Sequence, residues 1–434
     1  MPQPQNRGVM TASRSGSILR DPAFGRLWFI QASTQVGGNM ALYALTILVF
    51  ATTRSNAAVS ALVMSFLIPT ILLSALAGVL VDRLDVRLAL IVPNTIRTLL
   101  TLGLAAAGTH VALLLLFNLG ISLTTVVLTP AEASMIPRIV PKAQLETAMG
   151  IFNLTLQASF AVGFAFLGPL LVTIASPSFV LGVVVALYAG ATIATVGLPS
   201  APPIAAPADA REGEEFVVGS GAVRRSFREP ARQLHDGIAA ISGDREVSRP
   251  LSHLAAAASL VGVIGVLGPN LALSLGLDPK HLIVVVLPLG LGVVGGVFFL
   301  RRFGAGVPRR RAGEAGLVTF GVLALAIAAI GGVGRSIGLP VVPLVVVLAL
   351  LAGAAYATTT VSAQTALFEN MPAGARGRIF GVLASIVSAA SLLPILIAGP
   401  LADTISGPAV IAITATAILG IGAWSALLFG PRRL

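Results

Sequence analysis

Long apolar segments separated by shorter polar loops recur along the whole chain. The segments lie at 27–50, 58–80, 88–107, 110–129, 146–175, 178–198, 251–276, 281–300, 314–333, 340–367, 378–402 and 406–430. A helix that crosses a bilayer needs roughly 20 mostly apolar residues, and an α-helix satisfies its backbone hydrogen bonds within one segment. The pattern therefore predicts an all-α membrane protein with twelve transmembrane helices.

The composition of the chain supports this prediction. Hydrophobic residues make up 56% of the 434 residues, charged residues only 10%, and the mean hydropathy is +0.94. Soluble domains carry about 25% charged residues, and the strands of a membrane β-barrel alternate polar and apolar positions. A soluble enzyme, a nucleic-acid binder and a barrel are therefore excluded. The chain has no cysteine, so thiolate metal sites are excluded as well.

The basic residues indicate the orientation in the membrane. If the loops alternate sides, nearly all 28 Lys and Arg residues share one side with the N-terminus. The exceptions are Arg54, Lys280 and Arg335 on the other side, and Arg97 within a segment. Because Lys and Arg concentrate in cytoplasmic loops, we predict that both termini are cytoplasmic and that the protein lies in the plasma (inner) membrane.

The longest polar stretch divides the chain into two halves. The predicted parts are a cytoplasmic tail at 1–23, a six-helix half at 24–198, a cytoplasmic linker at 199–250, a second six-helix half at 251–430 and a tail at 431–434. The linker begins with several prolines, which favours an extended tether. Within it, 224–242 reads as a short amphipathic helix.

An internal repeat relates the two halves. Several residues recur at one constant offset: Gly37 with Gly268, Asn39 with Asn270, Pro141 with Pro372, and Gly168-Pro169 with Gly399-Pro400. A shared register of Asn, Pro and Gly-Pro across equivalent segments predicts two six-helix halves in parallel relation.

The loop after the second segment carries the most specific motif. It resembles the Gly-x-x-x-Asp-Arg-x-x-x-Arg signature of the major facilitator superfamily, through Gly78, Asp82, Arg83 and Arg87. The resemblance implies the major facilitator fold and a cytoplasmic gate. In that gate, Asp82 would lie at the N-terminus of the eleventh helix, and Arg83 or Arg87 would pair with Glu132. An ordinary charged loop is the alternative.

The signature departs from the superfamily pattern at two positions. Asp85 stands where the superfamily usually has glycine, and Val86 stands where a basic residue is common. In the second half, Leu300 occupies the position equivalent to the motif's aspartate, so a gate there would lack its carboxylate.

Other stretches resemble exporting members of the superfamily. Gly168-Pro169 resembles their Gly-Pro element, and Pro169 and Pro400 are expected to kink their helices. The loops before the fifth and seventh segments are similar to those of the macrolide-efflux and enterobactin-exporter branch. The resemblance implies secondary active, proton-coupled efflux of small amphiphilic, drug- or siderophore-like compounds by alternating access. An importer and a transport-deficient membrane sensor stay open as alternatives.

Polar residues within the apolar segments are the candidate cavity residues. They are Gln35, Asn39, Arg97, Asn118, Asn153, Gln157, Asn270, Tyr356 and Gln364. By resemblance, helices 1, 4, 7 and 10 line a central cavity. Arg97 is the one charge well inside a span, and such residues usually face a cavity or a partner. It is expected either to bind an anionic or carbonyl-bearing solute, or to donate to backbone carbonyls.

Drug-proton antiporters of the superfamily often carry a carboxylate in helix 1, where this chain has Gly37-Gly38-Asn39. Glu132 and Asp403 are the best remaining proton carriers. The sequence has no cluster of nucleophiles or metal ligands, so neither an enzyme, a cofactor nor a metal is predicted. The expected partners are the bilayer, a small-molecule substrate and protons. Nucleic acid is not expected as a partner, and the protein is expected to be a monomer.

Overall fold

The computed structural model of the protein describes residues 18–202, 245–303, 307–334, 340–369 and 376–428. The predicted amphipathic helix at 224–242 and the predicted tail at 431–434 lie outside these residues.

Nearly all of the described residues are helical. The long helices are α1 (Pro22–Thr53), α2 (Asn56–Arg83), α3 (Val86–Ala106), α4 (Val111–Ile139), α5 (Leu145–Phe160, continued by Ala161–Leu167 and Gly168–Ile174), α6 (Pro177–Val196), α7 (Arg245–Ser274), α8 (Ile283–Phe303), α9 (Arg309–Val333), α10 (Val341–Glu369), α11 (Arg376–Thr404) and α12 (Gly407–Leu428). Across the described ranges, eleven helices are long and apolar enough to cross a membrane. In α11 the apolar stretch Ala390–Thr404 is shorter, so the twelfth span stays a prediction.

The helices pack mainly within α1–α6 and within α7–α12. In the first group α1 packs on α6, while α4 packs on α2 and α3. In the second group α10 packs on α8 and α9, and α12 packs on α9 and α7. The two groups meet where α2 lies against α11 and where α5 lies against α8. In the sequence repeat, α2 is equivalent to α8 and α5 is equivalent to α11. The contact between α2 and α11 is therefore equivalent to the contact between α8 and α5.

A carboxylate ties the two groups together at the start of α2. Asp403, near the end of α11, accepts hydrogen bonds from the backbone N–H of Asn56 (2.8 Å) and Ala57 (3.0 Å) and from the hydroxyl of Ser55 (2.7 Å). The first N–H groups of a helix have no partner within the helix, and its positive end favours an anion. Gly399 allows this approach, because a Cβ atom there would overlap the carbonyl of Asn56.

The fifth helix changes its winding in the middle. Ala161–Leu167 form a π-helical turn, in which the N–H of Gly168 bonds to the carbonyl of Gly163. Pro169 follows directly and has no N–H to donate. Gly163 lies against the carbonyl of Val36 on α1. The predicted kink element Gly168-Pro169 therefore lies at a junction between π- and α-helix, a feature frequent at functional sites. Its repeat partner, Gly399-Pro400, lies inside α11.

Glycines also set the distance between α8 and α10. A Cβ atom at Gly292 would overlap the carbonyl of Leu350, whereas one at Gly295, on the same helix, would meet no atom within 4 Å. We expect Gly292→Ala to destabilise the protein by about 1–3 kcal/mol, because the helices must separate. Gly295→Ala is the matched control and should be neutral or slightly stabilising, since alanine favours helix. Thermal unfolding in detergent measures both; equal midpoints would contradict this packing.

Candidate functional site

A cavity of about 160 Å³ lies among α1, α2, α3, α4 and α6. Its wall is mostly apolar, with a minority of polar side chains: Thr34, Gln35, Asn39, Arg97, Thr101, Asn118, Thr125 and Tyr188. Pockets that bury drug-sized ligands usually measure about 300–1,000 Å³. In this conformation the cavity therefore accommodates a functional group or a small solute, and not a whole drug-sized molecule.

Among the described residues, Arg97 is the only charged side chain in the wall of this cavity. It is 5% exposed, and its Nη2 donates to the hydroxyl of Tyr188 (2.7 Å) and to the carbonyl of Thr34 (3.1 Å). The guanidinium carbon also lies 4.1 Å from the centroid of the Tyr188 ring, a cation–π arrangement. Its Nε is buried and has no hydrogen-bond partner among the described residues. Arg97 thus lines the cavity and donates to a backbone carbonyl. Binding of a solute by Arg97 stays a prediction.

Two glycines of α1 make room for this arginine–tyrosine pair. A Cβ atom at Gly37 would lie 2.9 Å from Cε1 of Tyr188. A Cβ atom at Gly38 would lie 3.3 Å from the Tyr188 hydroxyl and 3.4 Å from Nη2 of Arg97. The stretch of helix 1 where relatives often carry an acid is thus the surface on which Arg97 and Tyr188 pack.

Two amides use part of their hydrogen-bonding capacity within the bundle. Asn39 donates to the carbonyl of Gln35 (2.9 Å). Asn118 donates to the carbonyl of Leu62 (3.2 Å) and to the hydroxyl of Ser65 (2.9 Å). These bonds hold the two amides in place at the cavity wall, as expected for polar residues between packed transmembrane helices.

Four of the candidate cavity residues therefore meet at one cavity, namely Gln35, Asn39, Arg97 and Asn118. The others lie elsewhere. Asn153 is exposed on α5, and Asn270 lies against the start of α12. The ring of Tyr356 contacts that of Phe320 on α9 in a tilted arrangement, with the centroids 5.6 Å apart. Gln364 is half-buried on α10, and the side chain of Gln157 is outside the described set.

Tyr188 is the main cavity residue that the sequence analysis missed. A signal was present, because Tyr188 is one of only three tyrosines and lies in the middle of α6. A phenol inside an apolar span needs a hydrogen-bond partner, by the argument that singled out Arg97. The threonines of the wall gave no such signal, because threonine hydroxyls usually bond to carbonyls of their own helix.

The arginine at the end of the Asp-Arg motif contacts α6. Arg87 donates to the carbonyl of Val196, and among the described residues it makes no ion pair with Glu132. The surroundings of Gly78 and Asp82 lie outside the described set, and Arg83 is exposed. The gate therefore stays a prediction.

Glu132 lies deep in the first group of helices. It is 4% exposed, and the charge that acts on it is that of Arg97. Asn118, Thr125 and Glu132 follow one another at intervals of two helical turns, so they share a face of α4. Glu132 thus extends the polar side of the cavity toward the end of the bundle that carries the motif loop.

Asp85, the residue that departs from the motif, begins α3. Its carboxylate accepts hydrogen bonds from the N–H of Arg87 (2.8 Å) and from the hydroxyl of Ser200 (2.7 Å). The bond from Ser200, followed by those from the backbone, lowers the pKa of Asp85 below its usual value. An aspartate is a favourable N-cap, which gives a physical reason for its presence here.

Comparison with known proteins identifies the family. A sequence model described as Major Facilitator Superfamily matches residues 27–394. The chain belongs to the major facilitator superfamily. It is a multi-pass integral membrane protein of this transporter superfamily, and the predicted all-α major facilitator fold is confirmed. The orientation and the macrolide-efflux and enterobactin-exporter branch stay predictions.

Solved transporters share this fold. A POT family transporter in complex with 5-aminolevulinic acid has a TM-score of 0.68 and 13% identity, covering 94% of this chain and 96% of its own. The nucleoside transporter NupG has a TM-score of 0.67 and 15% identity, covering 94% and 100%. At such identities the similarity shows the fold alone. The curated protein sequences contain no match.

The bond between Arg97 and Tyr188 has a matched control in the same bundle. Tyr188→Phe removes an acceptor of a charged donor, and we expect a loss of about 1.5–3 kcal/mol in stability. Tyr43 is also fully buried, but its hydroxyl has no hydrogen-bond partner among the described residues. Tyr43→Phe should therefore be neutral or stabilising. Thermal unfolding in detergent compares the two variants. If Tyr188→Phe lost no more stability than Tyr43→Phe, the hydrogen bond between Arg97 and Tyr188 would be contradicted.

The cap at Asp85 predicts a pH dependence. Because its pKa is lowered in the folded protein, the stability it confers is present above the unfolded value of about 4 and is lost as pH falls through the folded value. Asp85→Ala should cost about 1 kcal/mol at pH 7. Unfolding measured from pH 7 to pH 3 should show this difference shrinking; a constant difference would contradict a role for the charged carboxylate.

Proposed function

We propose that this protein is a proton-coupled secondary active transporter that exports small amphiphilic organic compounds across the plasma membrane. The observation that carries the proposal is the cavity in the first group of helices, where apolar walls surround one buried cation and a few amides. Such a wall suits a ligand with an apolar body and one anionic or carbonyl group. The resemblance of Gly168-Pro169 to the Gly-Pro element of exporting members supports export as the direction.

The positions at which the two halves are joined support alternating access. Hydrogen bonds between the halves, within the described ranges, lie near the end of the bundle opposite the motif loop. They involve Asp403, a bond from Ser60 to the carbonyl of Ile395 (2.8 Å), and a bond from Thr173 to the carbonyl of Lys280 (3.0 Å). Opening of the cavity toward that end requires these bonds to break while the halves rock about the midplane site.

Between the two candidate proton carriers, Glu132 is the better placed. Asp403 already accepts hydrogen bonds at the start of α2, so its protonation would compete with the contact between the halves. Glu132 is buried within the electrostatic field of Arg97 and makes no ion pair among the described residues. Charges interact strongly in such a low-dielectric environment. A change in the protonation of Glu132 would therefore change the affinity of Arg97 for a substrate.

The same interaction favours a second candidate, uptake of an anionic solute together with a proton. A proton on Glu132 removes the charge that compensates Arg97, so an anion would then bind Arg97 more tightly. Proton and anion would bind cooperatively, which is symport. A cationic substrate is instead favoured when Glu132 is charged, so it would compete with the proton, and exchange against protons is then the consistent mode.

The test is collapse of a pH gradient in inside-out vesicles that contain the protein. Hydrophobic cations, macrolides and siderophore-like anions are added in turn. Export predicts collapse for one class, loss of that collapse in Glu132→Gln, and no change in Glu146→Gln. Glu146 is the matched control, because it is exposed at the start of α5. Collapse that persists in Glu132→Gln would exclude Glu132 as the carrier.

Symport is distinguished by right-side-out vesicles in an acidic bath. Uptake of an anion with proton entry there, without collapse in inside-out vesicles, would replace export by the second candidate. Folded protein that responds to no compound in either orientation would reject both and leave the sensor.

A further inference from the structure

A second, smaller cavity lies at the arginine-rich end of the other half, between α7, α9 and α10. Its volume is about 40 Å³, and its polar lining consists of Arg249, His253, Arg309, Arg310 and Ser362. It is lined by none of the residues of the Arg97 cavity. The volume holds about three water-sized groups, which is the scale of the oxygens of one phosphate and not of an amphiphilic substrate.

A buried hydroxyl faces this cavity without a partner. Ser362 on α10 is 1% exposed, and its Oγ makes no hydrogen bond with any described residue. A buried polar group left without a partner destabilises the folded protein. Because Ser362 lines the cavity, a ligand oxygen bound there would supply the missing partner.

Arginine side chains supply most of the charge in the lining of the cavity. The lining residue His253 lies 3.1 Å from the hydroxyl of Ser425, which donates to Glu314 (3.4 Å). Arg310 forms an ion pair with the same carboxylate at 3.0 Å. Glu314 thus offsets Arg310, while Arg309 makes no ion pair among the described residues. Gly313 keeps the space open, since a Cβ atom there would reach van der Waals contact with Ser362 and His253.

We propose that this cavity binds a phosphate group, supplied by the head group of an anionic phospholipid. Guanidinium groups match phosphate oxygens in charge and geometry. The cavity lies where α7 and α9 begin, at the end of the bundle that the distribution of Arg predicts to be cytoplasmic. Anionic lipids face that side, and basic pockets between transmembrane helices bind their head groups. Free phosphate offers the same chemistry, so the test separates the two sources.

The experiment measures thermal stabilisation of the purified protein in neutral detergent. It is titrated with phosphatidylglycerol, with zwitterionic phosphatidylcholine and with inorganic phosphate. Arg309→Gln should weaken the apparent affinity for phosphatidylglycerol about fivefold, the effect of one cation near a membrane surface. Ser362→Ala should also weaken it, while the ligand-free midpoint stays the same or rises, because the hydroxyl it removes is buried and bonds to no described residue. Arg311→Gln is the matched control, since Arg311 is exposed and does not line the cavity.

The outcomes are distinct. Stabilisation by phosphatidylglycerol alone, weakened in Arg309→Gln and Ser362→Ala, supports a lipid site. The same pattern with inorganic phosphate at millimolar concentration supports a phosphate site supplied from solution. Equal stabilisation of all variants, or equal stabilisation by phosphatidylcholine, would overturn the proposal, because it would reveal only unspecific attraction or detergent exchange.

Discussion

The hydrocarbon of a bilayer offers no hydrogen-bond partner, and this constraint shapes both the fold and the site. Every polar atom within a span must be paired inside the protein or face a cavity. The guanidinium of Arg97 meets this condition through Tyr188 and the carbonyl of Thr34. That requirement brings α1, α3 and α6 together around one cation. Arg97 also lines the cavity. Two groups hold its guanidinium, while its Nε has no partner among the described atoms.

Small residues at the helix contacts are the second feature on which the packing depends. Without a hydrophobic drive between helices in lipid, close backbone contact supplies the packing energy. Gly37 and Gly38 admit the arginine–tyrosine pair, Gly399 admits the start of α2, and Gly292 admits α10. At these points even one methyl group would push two helices apart. Positions such as Gly295, where a Cβ atom meets nothing, show that glycine itself is not the signal.

The two halves have come to differ in what their polar residues do. In the first half, buried polar side chains converge on a cavity deep in the bundle. In the second, the buried charges and hydroxyls lie toward one end, around His253, Glu314 and Ser362. The lost aspartate at Leu300 belongs to the same divergence. The proposed substrate site and the proposed lipid site would thus lie in different halves of a structure built from one repeat.

The amino-acid sequence by itself determined the class of the protein: a helical membrane protein of the major facilitator superfamily. Hydropathy and the Asp-Arg motif are local features, since each depends only on neighbouring residues and on the bilayer. Sequence also found Arg97, because a charge is conspicuous in an apolar span. Only the tertiary structure decided which polar residues meet. Asn39 and Asn270 are equivalent in the repeat, yet one lines the cavity and the other packs against α12. Likewise, Tyr188 contacts Arg97, whereas Tyr356 packs against Phe320 in the other half. The physical reason is that periodicity shows which face of a helix is polar, while the partner of that face depends on how distant helices pack.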